Sequence, residues 1–170
     1  MNNLIRLQDG APQIITDDPW HLLREGESPD ELMAPLLLPL PLWRERQSDT
    51  VLAGQATSAD GLWLAPDDDV QALQACLPAL PLIAIDFPSF RDGRGYSLAY
   101  LLRTRLGWQG ELRAVGDVLR DQLSHMRQCG FDAFAVRADK SVEDALKGLA
   151  GMSVLYGRSA IEPRPLFRRR

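Results

Sequence analysis

Pro81-Leu82-Ile83-Ala84-Ile85-Asp86-Phe87-Pro88-Ser89-Phe90-Arg91-Asp92-Gly93-Arg94-Gly95-Tyr96-Ser97 is the stretch that decides how this chain folds. Its first five residues are an apolar run, and a helical pattern from Leu98 to Leu106 follows it. Between them, residues 86–97 hold two acids, two arginines, two glycines and three aromatics. An apolar strand that passes through a polar loop into a helix is a strand-to-helix crossover. α/β proteins keep their binding groups at such crossovers.

The same pattern recurs on both sides. Leu62 to Ala65 reads as a strand, and Pro66 with Asp67, Asp68 and Asp69 opens a helix running to about Leu77, its acids at the positive end of the helix dipole. Leu82 to Asp86 is the second strand and Tyr96 to Leu106 its helix. Leu112 to Val115 is the third strand, followed by a helix over Asp117 to Gln128. Phe131 to Val136 is the fourth, followed by a helix over Ser141 to Leu149 that Ser141 and Asp144 are spaced to cap. Four tandem strand–helix units predict parallel pairing through right-handed crossovers. The expected class is therefore α/β, with a mainly parallel sheet of about four βα units. Two closures fit it, an open three-layer sheet or half of a TIM-like barrel; four strands are too few for the complete eight-fold barrel.

Upstream, Leu4 to Leu7 and Gln13 to Thr16 flank Asp9-Gly10, a hairpin turn pair. Leu36-Leu37-Leu38-Pro39-Leu40-Pro41-Leu42-Trp43 carries two prolines, which argue against a regular helix or a central strand and predict an edge strand or an extended arm. The expected organisation is one domain. Residues 1–60 form a hairpin and proline-rich arm packed on the core, 61–150 form the βα core, and 151–170 form a C-terminal tail. Its last residues, Pro163 to Arg170, read as an extended solubilising tail, with docking to an acidic partner as the alternative.

With 45% apolar and 25% charged residues over 170 positions, the composition is that of a globular protein. Net charge is −4 but uneven: residues 1–80 carry −9, while residues 91–127 and 128–170 each carry +3. No long basic stripe is present, which argues against nucleic acid as a partner. No apolar run has the length of a membrane span, and the expected location is the cytoplasm. Two cysteines, Cys76 and Cys129, cannot supply the four thiolates of an ordinary iron–sulfur cluster or an all-cysteine zinc site, so neither is expected. His21 and His125 stand outside any ligand cluster, and a flavin or other cofactor is left open.

In a parallel sheet, the residues that close the strands converge on one edge. Asp86 closes the second strand, Gly116-Asp117 the third, and Arg137 follows the fourth. Asp117 also stands where a helix cap belongs. Asp86 follows four apolar residues, so its charge needs partners. Arg91 and Arg94 are nearest in sequence; Arg113 and Arg120 are more distant. Two glycines at a helix start, with arginine beside them, suit a small oxyanion. The candidate acid–base groups are Asp86, Asp117 and Asp121. The candidate anion-binding groups are Arg91, Arg94, Gly95, Arg113 and Arg120.

Several stretches together resemble a known family: Asp86-Phe87-Pro88, Asp92 to Ser97, Leu102-Arg103, Gly110 to Asp117, Leu119 to Gln122 and Cys129 to Phe134. It is a bacterial family carried as a domain of unknown function, whose members bear the label of a probable oxidoreductase involved in sulfite reduction. Their genes commonly sit beside that of the sulfite reductase haemoprotein. Taken with the lack of a cluster-binding cysteine set or a recognisable cofactor loop, the resemblance implies an accessory protein of assimilatory sulfite reduction that supports electron delivery, with sulfite reductase or its electron donor as partner. Two other readings stand beside it. One is a small α/β enzyme binding an anionic substrate at the carboxyl edge of the sheet; the other is a homo-oligomeric scaffold, such as a homodimer, joined through the hairpin and proline-rich arm.

Overall fold

The computed structural model describes every residue except Met33, Met152, Ser153 and Arg170. Eight strands form one sheet: β1 (Leu4–Gln8), β2 (Ala11–Ile15), β3 (His21–Leu22), β4 (Leu36–Pro39), β5 (Gly61–Leu64), β6 (Leu82–Phe87), β7 (Glu111–Gly116) and β8 (Ala133–Ala135). Their spatial order is β2-β1-β8-β7-β6-β5-β4-β3. From β3 to β8 each neighbour pairs in parallel, whereas β1 pairs antiparallel with both β8 and β2. The sheet is thus mixed and eight-stranded, not a mainly parallel sheet of four units. It curls into a half-barrel. The four-unit count fell short because the hairpin and two short N-terminal strands extend the sheet at its two ends.

The helices are α1 (Leu40–Arg46), α2 (Asp49–Leu52), α3 (Arg94–Thr104), α4 (Leu123–Cys129) and α5 (Val142–Leu146). Trp43, Leu98, Ala99, Leu102, Leu123, Met126 and Ala145 from these helices join Ile83, Ile85, Phe87, Leu112, Ala114 and Phe134 of the sheet in the main core. The opposite face carries a smaller apolar cluster, Leu37, Leu82, Ala84 and Val115, packed by Met1, Trp20, Leu22 and Trp63. Alternation along each strand divides these two sets.

Several elements follow local rules. Asp9 and Gly10 both take positive φ, 50° and 79°, as a two-residue hairpin with primed-turn geometry requires. Ser141 Oγ accepts from the Asp144 amide at 3.1 Å and starts α5. Gly130, at φ 110°, ends α4 in the left-handed conformation.

Other elements depart from expectation. Leu36–Pro39 is a strand inside the sheet, flanked by β3 and β5, not an edge. Its prolines are accommodated because Pro39 is the last strand residue and Pro41 falls in the first turn of α1, where a helix amide has no partner to lose. The helix expected over 67–77 is instead two 3-10 turns, Val70–Leu73 and Leu77–Ala79, the second with Pro78 in its first turn. The helix expected from Asp117 starts six residues later, at Leu123, after a 3-10 turn at Arg120–Gln122. Asp117 is therefore not that helix's cap.

Among the described residues, no helix is long and apolar enough to cross a membrane.

Candidate functional site

The carboxyl ends of β5, β6, β7 and β8 bring residues 65–68, 86–93, 116–119 and 136–140 to one edge. Asp86, the fifth residue of β6, is largely buried. Its partner is none of the arginines near it in sequence. Arg24, just beyond β3, donates from Nη2 to Asp86 Oδ1 at 2.7 Å, and the guanidinium lies 5.3 Å from the centre of the Trp63 ring. Trp63 Nε1 in turn donates to the Leu23 carbonyl at 3.1 Å. Gly116, with φ 92°, leaves room for the Asp86 carboxylate: a Cβ there would lie 2.7 Å from Asp86 Oδ1 and 2.4 Å from the Phe87 carbonyl oxygen.

Asp117 ties three strand ends together. Its amide donates to the Phe87 carbonyl at 2.7 Å, its Oδ2 accepts from the Phe90 amide at 2.9 Å, and its Oδ1 accepts from Arg137 Nη1 at 2.7 Å. The Phe90 amide, together with Arg137, holds the Asp117 carboxyl below its ordinary range. Arg137 also grips Asp139 at 2.6 and 3.0 Å and lowers that carboxyl to about 2. Gln122 closes the loop from the other side. Its Nε2 donates to the Phe90 carbonyl at 3.1 Å and lies 3.2 Å from Tyr96 Oη. Both backbone polar groups of Phe90 are thereby bound by side chains of the next βα unit. The Phe90 ring itself is 46% exposed, with the Arg91 guanidinium 5.4 Å from its centre.

The remaining predicted residues are placed as follows. Arg94 grips Asp92, with Nη2 2.6 Å from Oδ2, and also contacts Asp67 from the loop after β5. Gly95 is buried against the Phe87 ring. Arg120 pairs with Asp144 at 3.1 Å, and Asp121 is exposed on the same 3-10 turn. Arg113 lies on the helix-free face of β7 with its side chain fully buried, bound to Asp18 and Glu111. Arg6 Nη2 reaches the same Asp18, and Arg6 Nε lies 2.8 Å from Glu111 Oε2, off the hydrogen-bonding direction. Asp86 and Asp117 thus share the edge, each held by its own arginine. Asp121, Arg113 and Arg120 belong to other surroundings.

Two contributors were not among the candidate site residues. Arg24 sits in a polar, irregular stretch, and only the parallel pairing of β3 with β4 delivers it to Asp86. Arg103 organises the opposite edge. It donates to the carbonyls of Gly130 at 2.8 Å, Trp108 at 2.7 Å and Gly110 at 2.9 Å, and to Asp132 at 2.8 Å. Asp132 Oδ1 accepts from the Leu112 amide at 2.7 Å. Among the described residues, no group of three or more His, Cys, Asp or Glu side chains is placed to hold a metal ion. Cys76 is buried in the core, and Cys129 Sγ lies 3.8 Å from His125 Nε2.

These features define an α/β half-barrel whose carboxyl-edge loops are bolted together by side-chain-to-backbone bonds. The chain belongs to the family described as "Bacterial protein of unknown function (DUF934)", whose model matches residues 61–167, from β5 to the C-terminal segment. Neither the curated proteins nor the solved structures contain a match to it.

Proposed function

We propose that this protein is an accessory protein of assimilatory sulfite reduction, acting by docking against sulfite reductase or its electron donor. The link to sulfite reduction comes from the family resemblance carried by Asp86-Phe87-Pro88, Asp92 to Ser97 and Gly110 to Asp117. The observation that favours docking is the treatment of Phe90. Asp117 and Gln122 fix its backbone, while its ring and the stacked Arg91 stand in solvent. An aromatic ring with a guanidinium on it, held on a rigid loop, loses little conformational freedom on binding. Tryptophan, tyrosine and arginine dominate interface energetics, and aromatic residues are enriched at interface cores.

Two experiments test the reading. A strain deleted for the gene should grow poorly with sulfate as sole sulfur source and be rescued by the wild-type chain. The purified protein should bind the reductase or its donor, and Phe90→Ala with Arg91→Ala should weaken that binding at least about tenfold while the fold is retained. Normal growth of the deletion strain on sulfate, with no contact to either protein, would overturn it.

A further inference from the structure

The C-terminal segment gathers apolar side chains and arginines on the surface. Val154, Tyr156, Ile161, Leu166 and Phe167 are five of the six large apolar side chains exposed among the described residues, at 40–74% exposure. Four arginines, 158, 164, 168 and 169, accompany them against the single acid Glu162 over residues 154–169. The segment is cross-tied. The Leu166 amide donates to the Tyr156 carbonyl at 2.9 Å, and the Ser159 amide to the Glu162 carbonyl at 2.8 Å. The Ala160 amide anchors it to the Gln128 carbonyl at 2.9 Å. The Tyr156 and Phe167 rings lie 6.5 Å apart, and Arg168 sits 5.8 Å over Phe167. Exposed apolar side chains gathered on one segment and edged mainly with positive charge suit an interaction surface.

A complementary recess lies at the other end of the sheet. A cleft of about 650 Å³ opens beside β3–β5, with Leu23, Pro39, Leu42 and Trp63 as its apolar lining. Exposed Glu25 and Glu27 stand on it, and the charge of Arg24 is offset by Asp86. The cleft belongs to residues 1–80, which carry −9. The chain's own C-terminal segment lies elsewhere in this structure. Ile161 lines one pocket with Leu7 and Gly10 of the hairpin, and β1 and β5 stand four strands apart in the sheet.

We propose that the occupant is a second copy of this chain, whose Leu166-Phe167-Arg168 surface enters the Trp63 cleft with Arg168 facing Glu25. In a two-fold dimer this contact is made twice. The interface is charge-complementary and apolar at its centre, and backbone hydrogen bonds tie its basic half to itself and to α4.

Sedimentation velocity of the purified full chain tests this. The wild type should form dimers that weaken when salt is raised from about 0.1 to about 1 M, where the screening length falls from about 10 to about 3 Å. Phe167→Ala should weaken the dimer at least about tenfold. Arg168→Glu and Glu25→Arg, each alone, should leave monomer, and mixing these two variants should restore association, because the reversed charges then face one another across one contact. Thermal melts check that each exposed substitution leaves the fold intact. A wild type that stays monomeric at about 100 times the concentration of an ordinary micromolar complex would overturn the proposal. So would a dimer indifferent to both Phe167→Ala and Glu25→Arg, since self-association would then use another surface.

Discussion

Replacing Arg113 with methionine removes the guanidinium that neutralises the helix-free face of the sheet. Arg113 Nη1 and Nη2 grip Asp18 at 2.8 and 2.9 Å, and Nε and Nη2 grip Glu111 Oε1 at 2.9 and 2.7 Å. The side chains of Arg113 and Asp18 have no exposure. Breaking a buried pair from one side costs about 3–5 kcal/mol, because a desolvated charge is left without its partner. Here Asp18 keeps the N-terminal ammonium at 3.0 Å and Arg6 at 3.4 Å, and Glu111 is partly solvated. The cost therefore belongs at the low end, about 3 kcal/mol. In urea, with a slope of about 2 kcal/mol per molar, the unfolding midpoint should fall by about 1.5 M. Adding Asp18→Leu to Arg113→Met should recover part of the loss, because the stranded carboxylate goes too.

The pH dependence has a definite sign. Burial pushes the Asp18 carboxyl up, but the hydrogen bonds and charge of Arg113 and the N-terminal ammonium outweigh it and hold the carboxyl below 3.8. Its stabilisation is present above that unfolded value and is lost as pH falls through the lower folded one. The penalty of Arg113→Met should accordingly be full at neutral pH and shrink in acid. A midpoint within about 0.25 M of the parent at neutral pH would refute the reasoning.

Gly95→Ala should destabilise despite the better helix propensity of alanine. Its Cβ would lie 2.7 Å from Phe87 Cζ, and that ring is packed between Tyr96 and Phe131. Overpacking of about 1–3 kcal/mol exceeds the gain of about 1 kcal/mol, and a lower Tm reports it. Asp117→Asn should loosen the Phe90 loop by about 1 kcal/mol, read as faster hydrogen exchange at the Phe90 amide. In the parent the same loosening should appear as pH falls below 3.8 toward the lowered folded value of Asp117. Arg103→Lys should cost about 2 kcal/mol in denaturant unfolding, because a single ammonium cannot reach three carbonyls and Asp132 as the planar fork does. An unchanged midpoint would show the fork to be dispensable.

Much of the architecture was legible in the chain because its causes are local. Asp9-Gly10 specifies its own turn, Ser141 its own cap and Gly130 its own helix end, each through bonds or dihedral angles within a few residues. Apolar runs located β5 to β8, and convergence at the carboxyl edge placed Asp86 and Asp117 together. The amphipathic pattern misread 67–77 and 117–122, where proline or an extended residue such as Leu119 delays or prevents the α-helix.

The ionic partners were decided only by the tertiary structure. Asp86 meets Arg24 across 62 residues, and Arg113 meets Asp18 across 95. Opposite charges attract at any separation in sequence, so the pairing depends on which strands become neighbours and which face each residue takes. The order β2-β1-β8-β7-β6-β5-β4-β3 sets the first, and the strand register sets the second.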